Sequence, residues 1–280
     1  MPEKGFSFGN LMMVTEIKFS CIYIIESFPS HDPPSGKNLY KHIEALLPKI
    51  PGMGLTLFDV DSKKGFIDAI AEIERRLDKR GITPYIHFDM HGMEEGLAFK
   101  NDEWISWAEI RPLLVGINFK TKKSLFVSLA SCHGGYMVVA VSPIEKAPFY
   151  GYIGYAKEIS FKQADTDWYN YFTQLFLTKD FYEAVKALNK DNDLPIYVFH
   201  SYRTIWEDIK KAWLSKYDTE EKIAFRVEEL VQMAKDDGGR LPQSEMENFF
   251  RNELEKRHLH LDQLRRHYMH ETDVFPKELI

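Results

Sequence analysis

Cysteine is scarce in this sequence. The 280 residues include two cysteines, Cys21 and Cys132, and two thiols in a chain of this length do not form the disulfide framework of small secreted domains. An excess of positive charge is also missing, because 36 basic side chains face 42 acidic ones. Nucleic-acid binding needs a basic surface that neutralises phosphates, so no nucleic-acid partner is expected.

Long apolar runs are absent as well. The apolar stretch from Ile17 to Ile25 is interrupted by Lys18 and Ser20, and it has roughly half the length of a membrane span. The N-terminus shows no signal-peptide pattern. Together with the unpaired cysteines, these absences predict a cytoplasmic protein that has no membrane partner.

Apolar residues make up 44% of the chain, which is ample for a packed core. Short runs rich in β-branched and aromatic residues alternate with segments of helical spacing. The predicted strands are 18–26, 54–60, 84–90, 124–130, 149–155 and 195–200, and the predicted helices are 39–47, 65–80, 104–115, 166–177 and 181–189. This alternation predicts an α/β fold whose central sheet is mainly parallel and carries helices on both faces.

The character of the sequence changes after residue 201. Charged segments of helical spacing follow, notably 220–235 and 244–260, and none of them resembles a strand. We therefore expect an α/β domain at 1–201 and a helical C-terminal appendage at 202–280.

Reactive groups gather at the carboxyl ends of strands in a parallel sheet. The predicted strand 84–90 ends in His91-Gly92, and the strand 124–130 ends in Ser131-Cys132. An imidazole that takes the proton of a thiol produces the nucleophilic thiolate. These residues predict a Cys132–His91 pair, with Gly92 leaving room for a substrate backbone and the amides of Gly92 and Cys132 donating to an oxyanion.

This arrangement resembles the caspase-like cysteine peptidases of clan CD, which include caspases, metacaspases, separase and the bacterial CHAT proteases. Their signature is an apolar strand ending in His-Gly, followed by a second one ending in a small residue and cysteine. The interval of about forty residues is close to the roughly fifty of caspases, and the segment 152–190 is similar to the region after the nucleophile in CHAT proteases. The resemblance covers about 17–200.

The resemblance implies a three-layer caspase-like fold and a cysteine endopeptidase that acts on protein or peptide substrates without a metal or organic cofactor. It also implies His91 and Cys132 as catalytic residues and an oxyanion role for Gly92. Bacterial relatives often serve defence, including antiviral defence, or cell death, so a regulated protease is expected.

Substrate preference is less defined by the sequence. The caspase pentapeptide is replaced by Ser131-Cys132-His133-Gly134-Gly135, and the arginines that select aspartate have no match, so cleavage after Asp is not expected. Relatives that cut after Arg or Lys line their specificity pocket with an acid. Asp165 is a weak candidate for that role and Asp167 another, although both also fit the N-cap and first turn of a helix.

Several alternatives stay open. His87, Asp89 and His91 alternate along one strand and would share a face, which permits a metal-dependent hydrolase. A catalytically silent caspase-like scaffold could instead bind a protein partner through the C-terminal helices, whose basic residues also suit a regulatory partner of the peptidase. Cys21 is expected to be a core residue, His87 a packed strand residue, and His133 a polar residue at the start of a helix.

Overall fold

The computed structural model describes residues 19–142, 145–190, 197–216, 218–236, 238 and 241–271. The strands are β1 (Cys21–Ser27), β2 (Gly54–Asp59), β3 (Pro84–Met90), β4 (Gly92–Met93), β5 (Gly96–Ala98), β6 (Trp104–Ser106), β7 (Phe126–Leu129), β8 (Gly151–Tyr155) and β9 (Tyr197–Ser201). The α-helices are α1 (Ser35–Leu46), α2 (Lys63–Arg80), α3 (Trp107–Lys120), α4 (Phe161–Thr178), α5 (Phe181–Leu188), α6 (Tyr202–Leu214), α7 (Glu220–Asp236), α8 (Gln243–Glu255) and α9 (Arg257–Tyr268). Among the described residues, 3-10 helices lie at Leu47–Lys49 and Gly134–Ala140.

Six strands form the central sheet in the order β2-β1-β3-β7-β8-β9. The first five are parallel, and β9 pairs antiparallel with β8. A second, three-stranded sheet of β4, β5 and β6 is antiparallel. The prediction of an α/β fold with a mainly parallel sheet is confirmed. Residues 195 and 196 of the last predicted strand lie outside the described residues.

Helices cover both faces of the central sheet. Successive side chains of a strand point to opposite faces, so neighbouring residues of β3 pack against different helices. His87 of β3 packs edge-on against Trp168 of α4, with 4.8 Å between the ring centroids. The next residue, Phe88, faces the other way and lies 5.3 Å from the ring of Phe66 in α2. The core between α1, α4, α5 and the sheet face that carries His87 is rich in aromatic residues.

The helices expected from residues 39 and 65 begin at Ser35 and Lys63, and two further helix starts also differ from the sequence prediction. The segment 104–115 was expected to be one helix, but Trp104–Ser106 pairs with β5 and the helix begins at Trp107. Ser106 and Glu109 form a reciprocal capping box that fixes this start. The helix expected from residue 166 begins at Phe161, where the Ser160 hydroxyl accepts the Gln163 N–H.

The chain divides into two compact units. The first contains the described residues up to Ser142 together with Ala147–Tyr202, and the second contains Arg203 onwards with the short piece before Ala147. In the second unit α7 packs on α8 through Val227, Val231 and Met246. The predicted helix 244–260 is two helices, α8 and α9. None of the helices in the described residues is long and apolar enough to cross a membrane.

Candidate active site

His91 and Cys132 follow the ends of neighbouring central strands. β3 and β7 pair in parallel from Tyr85 opposite Phe126 to Phe88 opposite Leu129. The Ala130 N–H donates to the Phe88 carbonyl at 2.9 Å, which extends the pairing past the last strand residue. The ends of β3 and β7 therefore lie side by side, and His91 and Cys132 follow them at the same edge of the sheet.

Gly92 lies directly against Ser131 and Cys132, which follow the end of β7. A Cβ atom at this position would collide with the Cys132 carbonyl oxygen and would lie 2.9 Å from Cβ of Ser131. The space left by the missing side chain is therefore filled by the Cys132 backbone. The glycine serves the close approach of the two strand ends, and it also lines the cleft; that a substrate backbone passes there stays a prediction.

The His91 ring is held on three sides. Its Nε2 lies 2.8 Å from Oδ2 of Asp32, and the rings of Phe28 and Phe161 meet it edge-on at 5.1 and 6.0 Å between centroids. A carboxylate can only accept a hydrogen bond, so Nε2 carries the proton. In the neutral ring Nδ1 then has the lone pair, as a general base requires.

The Cys132 thiol faces the chain segment that follows β8. Its Sγ lies 3.4 Å from the Ile159 nitrogen, which donates to it, and 3.6 Å from the Ile159 carbonyl oxygen. Among the described residues, no hydrogen bond joins Sγ to the His91 ring. The half-buried thiol opens into a cleft lined by Gly92, Cys132, His133, Glu158, Ile159 and Ser160.

Two backbone amides border this cleft. The Ala98 N–H donates to the His91 carbonyl at 2.9 Å, so this pair of the β4–β5 hairpin is hydrogen-bonded. The next pair, Gly92 and Leu97, is then the non-bonded kind, which turns the Gly92 amide out of the hairpin. Within the described part of the chain, no acceptor binds the Cys132 amide. Gly92 and Cys132 both line the cleft, so their amides are the candidates for an oxyanion site.

A tight turn follows Cys132. His133 adopts the left-handed conformation with a φ of 56° and its N–H donates to the Lys157 carbonyl at 2.9 Å. A Cβ atom on Gly154 of β8 would collide with the Gly134 backbone, so the turn rests directly on the sheet. His133 precedes the 3-10 helix Gly134–Ala140, as predicted for a polar residue at a helix start.

No protein-family model matches this sequence, and no curated protein is significantly similar to it. The chemistry of the cleft has to be read from its own residues.

Asp165 and Asp167 do not begin a helix, contrary to the alternative considered for them. Both lie inside α4, because Ser160 caps it. The buried Asp167 carboxylate accepts hydrogen bonds from the Tyr197 hydroxyl at 2.9 Å and the Gln163 amide at 2.8 Å, which assigns it a structural role. Asp165 is half-buried, and burial raises its pKa.

The three strand residues of the metal hypothesis make separate contacts. His87 is fully buried, its Nδ1 lies 2.7 Å from Oγ of Ser128, and burial lowers its pKa to about 3. Asp89 accepts a hydrogen bond from the Ser35 hydroxyl at 2.8 Å. Within the described ranges, no group of three or more His, Cys, Asp or Glu side chains is arranged to hold a metal ion.

Sequence reasoning missed two neighbours of the catalytic candidates, Asp32 and Ile159. Asp32 lies in the loop that leaves the carboxyl end of β1, the strand beside β3. The rule that reactive groups gather at the carboxyl ends of parallel strands applies to β1 as it does to β3 and β7. Asp32 could therefore have been considered from the sequence. Ile159 carries no side-chain signal, because its contact with Sγ is made by its backbone. Cys21, by contrast, is a buried strand residue as predicted.

Proposed function

We propose that this protein is a caspase-like cysteine endopeptidase that hydrolyses peptide bonds of protein substrates. Cys132 is the nucleophile, His91 the general base and acid, and the amides of Gly92 and Cys132 stabilise the oxyanion. The observation that supports the proposal is the close approach of Gly92, the residue after His91, to the Cys132 backbone at the ends of neighbouring parallel strands.

The reaction follows from these roles. The Cys132 thiol gives its proton to His91 Nδ1, and the sulfur attacks the substrate carbonyl to form a tetrahedral intermediate. The imidazolium returns the proton to the leaving amine, and a water molecule then hydrolyses the thioester with the same base. Sγ must first leave its contact with the Ile159 backbone, so substrate entry includes a movement of the thiol or of this segment.

The test is a screen of fluorogenic peptides with Arg, Lys, Asp or Leu at the P1 position. Cys132→Ala and His91→Ala should each lower the cleavage rate at least about a thousandfold, while Cys21→Ala serves as the thiol control and retains activity. Circular dichroism checks that the variants are folded. Full activity of Cys132→Ala would contradict the assignment. A preference for Arg or Lys that Asp165→Asn abolishes would give Asp165 the specificity role.

A silent scaffold that binds a protein partner is the second candidate. Large apolar side chains of the C-terminal helices, including Phe225 and Phe249, are more than half exposed, which favours a docking surface. The two candidates differ in thiol chemistry. A scaffold thiol reacts with iodoacetamide at the same rate with and without His91, whereas a catalytic thiol loses reactivity in His91→Ala.

A further inference from the structure

The geometry points to Asp32 as the residue that positions His91: we propose that its carboxylate fixes the imidazole with Nε2 protonated and stabilises the imidazolium that forms when Cys132 loses its proton. The 2.8 Å contact between Nε2 and Oδ2 of Asp32 carries this inference. It rests on the catalytic roles proposed above for His91 and Cys132, and it adds a third residue that acts through the histidine.

The loop that carries Asp32 is built to hold it. The Asp32 N–H donates to the Pro29 carbonyl at 3.0 Å and closes a turn directly after β1. Two prolines follow, and they restrict the backbone before α1 starts at Ser35. Both ends of the loop are therefore fixed, and the carboxylate loses little conformational freedom when it binds the ring.

The start of α1 is in turn tied to the strand of the base. The Ser35 hydroxyl donates to Asp89, which lies two residues before His91 on β3. The Lys37 N–H donates to Glu26 at the end of β1 at 3.0 Å. Asp32 and His91 thus belong to one connected framework, and their separation does not depend on a free loop.

Two aromatic rings also contact the His91 ring. Phe28 and Phe161 contact His91 edge-on and also contact each other, with 5.0 Å between centroids. The Asp32 side chain is 18% exposed, whereas that of His91 is 49% exposed. A mostly shielded carboxylate interacts more strongly with a positive ring than a fully hydrated one does. The other Asp32 oxygen lies 3.9 Å from the well-exposed His31.

The proton balance is simple. The thiol proton moves to Nδ1 of His91, and the proton on Nε2 stays on the ring and continues to donate to Asp32. The carboxylate remains ionised, and no proton reaches it. Its contribution is to orient the ring and to offset the positive charge that forms there.

Alkylation of Cys132 by iodoacetamide tests this role without requiring a peptide substrate. The rate is measured from pH 5 to 9 by mass spectrometry of the Cys132 peptide in the full chain. Asp32→Asn removes the charge and keeps the size of the side chain. We expect it to slow alkylation at pH 7 about tenfold and to move the midpoint of the pH profile upward by about one unit, because a positioning partner typically contributes effects of this size.

Two control variants show whether an effect comes from the Asp32 charge itself or from a change elsewhere in the chain. Ser30→Ala changes the same turn without touching His91, and Asp68→Asn removes an exposed carboxylate of α2 that pairs with Lys64. Both should leave the pH profile unchanged. Asp32→Ala is the second test, since it leaves no amide that could bind the ring, and thermal melts check that each variant is folded.

The outcomes are distinguishable. A shifted profile in Asp32→Asn and Asp32→Ala alone, with both controls unchanged, supports the role of Asp32. A wild-type profile in both, combined with slow alkylation in His91→Ala, overturns it and leaves the Cys–His pair standing. If His91→Ala itself alkylates like the wild type, the proposed catalytic pair fails and the role of Asp32 fails with it.

Discussion

Glycine at position 92 is required by a neighbour and not by its own backbone. Its φ lies outside the left-handed region, so conformational freedom is not what the site needs. The requirement is space, because the Cys132 carbonyl oxygen occupies the position of a Cβ atom. Any larger residue at position 92 has to push the ends of β3 and β7 apart, and this would move the His91 ring away from the Cys132 thiol.

Gly92→Ala is therefore expected to lower the free energy of unfolding by about 1–3 kcal/mol, as overpacking against backbone typically does, and to slow alkylation of Cys132. Urea denaturation and the alkylation rate measure the two effects. Gly116→Ala in α3 is the matched control, since its Cβ would lie 3.4 Å from Glu74 and a helix favours alanine. Wild-type values for Gly92→Ala in both assays would contradict the close contact.

At this scale the sequence identified the residues that end an apolar strand. His91, Gly92 and Cys132 stand out because a run of buried residues stops there and reactive side chains follow. Asp32 follows the end of β1 and fits the same rule, but its contact with His91 could not be assigned from the sequence, and Ile159 offers no side-chain signal. Their contacts depend on how two loops fold back over the strand ends, and loop conformation leaves no periodic pattern in the sequence.

Among the elements, α4 shows why the start of a helix is harder to predict than its interior. The apolar spacing from Trp168 onwards is regular, and it placed the start near residue 166. The first turn carries no apolar pattern and is fixed by a cap, the Ser160 hydroxyl that accepts the Gln163 N–H at 3.2 Å. Asp165 and Asp167 resemble caps in sequence, yet they lie within the helix.

Ser160→Ala should therefore destabilise the fold by about 1 kcal/mol, the usual cost of a lost N-cap. Thr166→Ala, on the exposed side of the same helix, should change stability by less than about 0.5 kcal/mol. Chemical denaturation compares the two variants. If Asp165→Ala were to show the loss of a cap while Ser160→Ala did not, the helix would start later than the structure has it.

For the molecule as a whole, ionisable groups that are buried or half-buried on the sheet face covered by α1 and α4 link stability to pH. β1 contributes Glu26, β3 contributes His87 and Asp89, and α4 contributes Asp165. Alternation along β3 correctly predicted that His87 and Asp89 share a face, but their burial results from α1 and α4 covering that face, which a strand pattern cannot reveal. Burial raises the pKa of Asp89 well above its ordinary value, and the charges of Glu26 and Asp165 add to this shift while the Ser35 hydroxyl opposes it.

His87 and Asp89 act in opposite directions. Because burial lowers the pKa of His87 to about 3, its contribution to stability is present above its unfolded pKa of about 6.5 and is lost as the pH falls towards 3. The raised pKa of Asp89 has the reverse effect. Its contribution is fully present below the unfolded pKa of about 3.9 and is lost as the pH rises through the folded pKa.

Asp89→Asn isolates the second effect, because the amide oxygen still accepts the Ser35 hydroxyl while the ionisable group is gone. Relative to the wild type, the variant should gain at least about 1 kcal/mol of unfolding free energy between pH 4 and pH 8, since each unit of pKa difference contributes about 1.4 kcal/mol. Urea denaturation at the two pH values measures the gain. Asp68→Asn, which removes an exposed carboxylate, should show none. If the difference in unfolding free energy between Asp89→Asn and the wild type were the same at both pH values, Asp89 would ionise as easily in the folded protein as in the unfolded chain. The Asp89 carboxylate would then be hydrated in the folded protein.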